Sequence, residues 1–273
     1  MNWAFAVPFA RNQQGQFVDV DHVPSGAACN CVCDACDQPV AARKFKNHDK
    51  EDHFYHLKEA SCHNPYETVI RKVIFQELAK AKAIYLPEVQ FRYRPDRKPK
   101  IVVPYGKMTV DDVELRPRGE HHLPDILLHK NVVLADGQSQ VRTLALAIVP
   151  HGSIDRHVEA GYSVLKLELD RVSNLERVAA LLTDFANGKT WLHHVKLAQI
   201  KRELEVQLLP AIYYPGQGYN IPDCPRVRDG EVAVACDDTC PYFGGNLQAS
   251  RQPCLGQKRQ AVDAFLKRYP DAR

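Results

Sequence analysis

Apolar and polar positions alternate differently in successive parts of the chain. Residues 1 to about 64 show short apolar pairs among Cys, His, Asp and Gly, with little sustained period. At Asn64-Pro65-Tyr66-Glu67 the pattern turns helical: an Asn N-cap, a proline at the first helical position and an acid three residues after the cap precede Val69, Ile70, Val73, Ile74 and Leu78. A helix over 65–83 is predicted. Short strand-like runs follow, at Val89–Tyr93, Ile101–Val103, Ile126–Leu128, Thr143–Val149 and Val164–Leu169. A mixed sheet behind a helix is expected from them. Ser173-Asn174-Leu175-Glu176 is a second capping box, whose helix Gly188 should end. Trp191–Leu209 reads as another helix, stopped by Pro210, and Gln257–Tyr269 as a short closing one.

Composition bounds these elements without specifying a function. A chain of 273 residues, 45% hydrophobic and 25% charged, can bury a core in one or two domains. The formal net charge is +3, so any nucleic-acid-binding surface has to be local. Leu144–Val149, the most apolar later stretch, is far short of the roughly 20 residues that cross a bilayer. The apolar N-terminus lacks a leading positive region and a small-residue cleavage pattern. The expectation is a cytoplasmic protein with no membrane partner.

The nine cysteines fall into two groups, Cys29, Cys31, Cys33, Cys36 and Cys62, then Cys224, Cys236, Cys240 and Cys254. Such clustering favours thiolate metal ligation over a disulfide framework. Zinc takes four tetrahedral sulfur or imidazole ligands, and a two-residue spacing lets one turn present two thiolates. Cys33-Asp34-Ala35-Cys36 supplies that turn, with His56 and Cys62 chosen as the other half; His53 and His63 are substitutes, and Cys29 and Cys31 alternative ligands. Cys224, Cys236, Cys240 and Cys254 give a looser all-thiolate set beside the turn at Gly244-Gly245, expected to bind a second structural zinc.

The order CxxC, HFxH, Cys, helix-opening acid and then a Pro-Asp before an apolar strand resembles the CoiA-like competence protein family. The resemblance covers roughly residues 25 to 170: Cys33 and Cys36 match its knuckle, His53-Phe54-Tyr55-His56 its HFxH, Glu67-Thr68 its helix Glu-Ser, and Pro124-Asp125 its Pro-Asp. It implies an α/β fold: a restriction-endonuclease-like mixed sheet flanked by helices, of the PD-(D/E)xK type, behind an N-terminal zinc finger. With the second cysteine group added, the expected domains are 1–64 with the zinc finger, 65–210 as the core, and 211–273 as a zinc-ribbon-like module with a helix.

The resemblance further implies Mg²⁺ or Mn²⁺ held by Asp125 and Glu67, polarising a scissile phosphate and acidifying the attacking water. The chain departs from the pattern at the next strand: Thr143–Val149 has no Asp, Glu or Lys, and Arg71 stands where the family commonly has a histidine. Glu114, Glu120, Asp155, Lys166 and Glu168 are candidate substitutes. Plainer roles stand beside these. Glu67 also suits a capping box, Asp125 a turn, and His121-His122 and His193-His194 solvated or capping positions.

Arg92, Arg94, Arg97, Lys98 and Lys100 concentrate positive charge around Tyr93, with Asp96 the one acid of the run. These charges suit phosphate neutralisation, with Arg92, Arg94, Arg97 and Lys98 as the candidate DNA contacts; Pro95 and Pro99 mark a hairpin loop, and a merely solvated basic loop is the plainer alternative. Two functions emerge: a metal-dependent DNA nuclease, in DNA processing or defence, or a catalytically inactive zinc-bearing subunit that binds DNA or a protein partner, including a second copy. A zinc adaptor serving only protein contacts is a third.

Overall fold

The opening stretch, which shows no sustained period, folds into five strands. They are β1 (Phe9–Arg11), β2 (Phe17–Asp19), β3 (Gly26–Val32), β4 (Pro39–Arg43) and β5 (His53–His56), in an antiparallel sheet of order β2-β1-β3-β4-β5. The structure, a computed structural model, describes residues 7–45, 52–58, 62, 65–92, 98–116, 126–148, 158–169, 174–183, 188–204, 207–210, 212–214, 218–221, 224, 240, 242–243, 251–254 and 259–269. The β1–β2 turn is closed by Asn12, whose Oδ1 accepts from the amides of Gln14 and Gln16.

The predicted helix forms as α1 (Pro65–Ala81) and buries Val69, Ile70, Val73, Ile74 and Leu78. Each such burial stabilises by about 1.5–3 kcal/mol. The helix stops where Lys82 adopts the left-handed φ of 49° and donates its amide to Leu78 O at 2.8 Å. Next come β6 (Ala83–Leu86), β7 (Val89–Phe91), β8 (Lys100–Val103) and β9 (Gly106–Thr109); β6 pairs with β9 and β7 with β8, both antiparallel.

A second five-stranded sheet contains β10 (Asp112–Leu115), β11 (Ile126–Val133), β12 (Ser139–Ala147), β13 (Ser163–Leu167) and β14 (Lys189–His193), in that order. Only β12 and β13 run parallel; the other neighbours are antiparallel. The protein is therefore mixed α/β with mostly antiparallel sheets. Ile126, Leu128, Leu144, Leu146, Leu165 and Leu167 join one buried cluster with the α1 stripe and with Phe9, Cys33, Val40 and Phe54 of the first sheet. Leu127, Ala145, Ala147 and Val164 form a separate cluster on the opposite face. The cysteine-rich stretch and α1 thus share one core.

Between β13 and β14 lies α2 (Leu175–Thr183), and its cap sits one residue later than the second capping box suggests. Asn174 Oδ1 accepts the Arg177 amide at 2.8 Å. The helix expected over Trp191–Leu209 is a correction: 189–193 are β14, α3 (Val195–Glu203) follows, and β15 is Gln207–Pro210. Pairing with β13 decides this, since Lys189, Trp191 and His193 alternate with exposed Thr190 and Leu192, and the buried helical position Ile200 lies beyond His194. Gly188, at φ +70°, makes the turn into β14; a Cβ there would meet Leu181 Cδ1 at 2.3 Å.

Residues fall into two compact units, Met1–Pro87 with Tyr105–His194, and Glu88–Pro104 with Val195–Arg273. The second contains β7, β8, α3 and β15, then β16 (Ile212–Tyr214), β17 (Gly218–Asn220), β18 (Arg251–Cys254) and α4 (Arg259–Arg268). Phe91 meets Phe265 of α4 edge-on, ring centroids 5.5 Å apart. No described helix is long and apolar enough to cross a membrane.

Asp19, at the end of β2, joins distant parts of the first unit. Its carboxylate is fully buried at 0% exposure. One oxygen accepts the His22 amide at 3.2 Å and faces His22 Nδ1 at 2.5 Å, while the other accepts the amide of Leu175, the first residue of α2, at 3.0 Å. The hydrogen bond that Asp19 accepts from the His22 ring, then the Asp19 charge, raises the pKa of His22 above 6.5, with Glu176 and Asp21 adding to the rise. Asp19→Ala is expected to lower stability to urea by about 2–4 kcal/mol, by removing a cap and stranding buried amides. Because the folded-state pKa of His22 is raised, its contribution is full below pH 6.5 and lost as pH rises through the elevated value. His22→Gln should remove that component from a plot of stability against pH.

Candidate metal centre

The turn between β3 and β4 is built to present two sulfurs. The Asp37 amide donates to Cys33 O at 2.8 Å and the Cys33 amide to Gln38 O at 2.9 Å, with Asp37 in the left-handed region at φ 55°. His56 closes β5 opposite Val40 of β4, and Cys62 lies three residues before α1. The ligand atoms of Cys33, Cys36, His56 and Cys62 all lie within 4.8 Å of one another. Cys33 Sγ is 3.9 Å from Cys62 Sγ, and Cys36 Sγ is 3.2 Å from His56 Nε2. Tetrahedral zinc, with bonds near 2.3 Å to sulfur and 2.0–2.1 Å to nitrogen, sets ligand atoms about 3.5–3.8 Å apart. This Cys₃His cluster can hold a zinc ion through Nε2 of the imidazole.

Without metal the pocket disfavours charge. Burial pushes the Cys62 thiol up to about 12, helped by its sulfur neighbours Cys36 and Cys33. Burial also raises Cys33, although the amides of Ala35 and Cys36, aimed at its sulfur, oppose the rise. Burial lowers His56, so its imidazole arrives neutral. Closely packed thiols and a neutral imidazole leave the negative charge of bound thiolates to be balanced by a divalent cation.

The other sulfurs and imidazoles named from the sequence do other things. Cys31 Sγ donates to Cys29 O at 3.3 Å and Cys29 Sγ to Val40 O at 3.6 Å. His53 packs against Phe45, ring centroids 5.7 Å apart. His63 lies outside the described residues. His193 Nδ1 lies 2.9 Å from Tyr162 O, and the half-buried His194 packs edge-on to Trp191.

Sequence reasoning passed over Asp34, between the two knuckle cysteines. Its side chain is 7% exposed and lies 2.7 Å from Arg11 Nε of β1 and 2.6 Å from Lys72 Nζ of α1. These are charge contacts rather than directed hydrogen bonds, since Asp34 Oδ2 and Arg11 Nε both lack an aligned partner. Arg11 also bonds Asp37. The knuckle is thereby tied to β1 and α1. An acid inside a CxxC, with basic residues at 11 and 72, was the available signal.

The remaining candidates are spread over both units. Glu67 lies in the first turn of α1; Asp125 lies outside the described residues, and Ile126 after it begins β11. Arg92 and Lys98 are exposed at the two ends of the β7–β8 loop, while Arg94 and Arg97 lie outside the described residues. Cys224 and Cys240 are half-buried and Cys254 is buried on β18; Cys236 lies outside the described residues. Among the described residues only the first cluster gathers its ligand atoms.

Comparison with protein-family models, curated proteins and solved structures found no match. The metal centre therefore rests on its own geometry. Metal-free protein titrated with Zn²⁺ is expected to bind one ion at this cluster and release about three protons, from the three thiols and none from His56. Calorimetry in buffers of different ionisation enthalpy measures that number, and Cys62→Ser should reduce both proton release and affinity.

Proposed function

We propose that the protein acts on DNA through a restriction-endonuclease-like core of the CoiA-like type, hydrolysing phosphodiester bonds with Mg²⁺ or Mn²⁺. One observation carries this reading. The first turns of α1, which bear Glu67, are hydrogen-bonded to the end of the second sheet at which β11 begins. Tyr66 Oη donates to Leu169 O at 3.0 Å, just past β13, and Arg71 Nη2 to Arg116 O at 2.8 Å, just past β10. Leu115 of β10 pairs with Ile126 of β11 at the same end. Glu67 thus lies on helix turns fastened to the sheet end at which β11 begins, which supports the reading.

Glu67 and Asp125 would hold the divalent ion, which supplies positive charge to the phosphate and lowers the pKa of the attacking water. Lys166, one of the candidate substitutes, lies one strand over from β12. Lys166 pairs in register with Ala147, on the face opposite α1, with its ammonium 3.9 Å from Glu168 Oε1. Thr190 Oγ1 donates to the same Glu168 oxygen at 2.9 Å. A cation beside the acid-free strand end suits phosphate positioning.

The second reading, a catalytically inactive DNA-binding or complex-forming subunit, is favoured by β12 itself. β12, Ser139–Ala147, contains no acid or lysine, and its Ala145 and Ala147 are buried at 0% and 8% exposure. Loss of one metal carboxylate weakens Mg²⁺ binding severely. A second zinc on Cys224, Cys236, Cys240 and Cys254, a zinc-ribbon-like C-terminal module and a cytoplasmic setting complete the proposal.

Purified protein with Mg²⁺ or Mn²⁺ is expected to cut single- or double-stranded DNA, and Asp125→Ala to lower the rate by about two orders of magnitude. Equal cutting by both proteins would remove the assignment of Asp125. Salt-sensitive DNA binding without cleavage at any metal gives the second reading. Mass-spectrometric metal analysis should find about two zinc ions per chain; a single ion strikes out the C-terminal site.

A further inference from the structure

The strands β11 and β12 outrun the sheet they belong to. Pairing of β10 with β11 ends at Asp112↔His129, and pairing of β12 with β13 begins at Leu144↔Ser163. Beyond those positions, among the described residues, β11 and β12 pair only with each other, in four rungs: Lys130↔Arg142, Asn131↔Val141, Val132↔Gln140 and Val133↔Ser139. At about 3.4 Å per residue the rungs and turn project roughly 15–20 Å. The base is braced on one edge, where the Asn131 amide donates to Asp111 Oδ2 at 2.6 Å and Lys130 Nζ to Thr109 Oγ1. The tip is a defined turn: the Leu134 amide donates to Gln138 O at 2.8 Å, the Gln138 amide to Asp136 Oδ1 at 3.0 Å, and Gly137 takes φ +83°.

The surface of this ribbon is unusual for one left in water. Val133 and Val141, on one face, are 71% and 59% exposed. Lys130, Arg142 and Gln140 share the other face with the half-buried Val132. Exposed polar side chains outnumber the two valines, with Asn131, Gln138, Ser139, Gln140 and Arg142 all open to solvent. Asp136 is the ribbon's one carboxylate, and it is turned onto its own backbone. A solvated two-stranded ribbon is marginal alone, so a partner that covers it adds stability.

We infer that this ribbon, residues 130–142, is an arm that enters a groove of duplex DNA. The inference rests on the DNA-acting reading above. The major groove is about 12 Å wide and admits a two-stranded ribbon. Lys130 and Arg142 sit at the base, where a ribbon entering a groove passes the phosphates. Asn131, Gln138 and Gln140 each carry an amide donor and acceptor, the pair that base edges present. Val133 and Val141 supply the apolar contact that thymine methyl groups take. A symmetric protein interface would call for a more apolar face than two valines among amides.

The test is fluorescence anisotropy of the full-length, zinc-loaded protein on a labelled duplex of about 20 base pairs across a salt series, without Mg²⁺ so that nothing is cut. Lys130→Ala/Arg142→Ala should weaken duplex binding about tenfold or more and reduce the log–log salt slope by about 2, one for each phosphate contact. Val133→Ser/Val141→Ser should weaken binding with the slope retained. Should the alanine pair unfold, judged by circular dichroism, Lys130→Gln/Arg142→Gln takes its place.

Duplex binding unchanged in every ribbon variant overturns the arm and leaves the DNA-acting reading standing. A native protein that neither binds nor cuts DNA overturns both. A native dimer that Val133→Ser/Val141→Ser converts to monomer, with duplex binding intact, assigns the ribbon to a second copy of this chain and overturns the arm.

Discussion

Four ligand atoms from three separate places in the chain converge within 4.8 Å, and the rest of the first unit is organised around that convergence. Such close sulfurs and an imidazole repel or strand one another as soon as the thiols ionise, and burial, helped by the neighbouring sulfurs, raises the pKa of Cys33 and Cys62. A divalent cation reverses the sign of the arrangement, turning a poorly solvated group of thiols into a closed tetrahedral shell. The consequence reaches α1, because Cys62 stands three residues before Pro65, at which the helix starts.

Two buried acids extend that anchoring in opposite directions. Asp34 carries the knuckle to β1 through Arg11 and to α1 through Lys72. Asp19 carries the end of β2 to the first amide of α2. Neither acid contributes to the metal shell, yet together they hold both helices against the first sheet. Buried carboxylates are tolerated here because each meets cations or backbone amides rather than apolar side chains. The shared core of Phe9, Val40, Phe54, Ile70, Ile74, Leu146 and Val178 fills the space between.

That anchoring bears on the second sheet. Tyr66 and Arg71 fasten α1 to carbonyls just beyond β13 and β10, so the metal centre and the sheet end with Ile126 are joined through one helix. A zinc ion held by this cluster would bear on the second sheet through the placement of α1. Beyond the sheet, β11 and β12 pair for four further rungs with no neighbouring strand among the described residues. One hairpin therefore both starts at the proposed site and ends in the exposed ribbon.

The sequence by itself determined the features that are local. Cys33 and Cys36 share one tight turn, and the stripe from Val69 to Leu78 buries itself whatever it meets, so spacing and period sufficed for both. His56 and Cys62 gather with the knuckle, whereas Cys29, Cys31 and His53, also near it in sequence, bond or pack elsewhere. What the tertiary structure decided lay in partners distant along the chain. The helical reading of Trp191–Leu209 failed because pairing with β13 outweighed a local pattern that admits either state. The roles of Asp19 and Asp34 were illegible because a carboxylate in a short polar stretch looks solvated until Leu175, Lys72 and Arg11 arrive beside it. Spacing reports what one turn or one helix face can do, whereas the partner of a buried charge is set by which elements pack together.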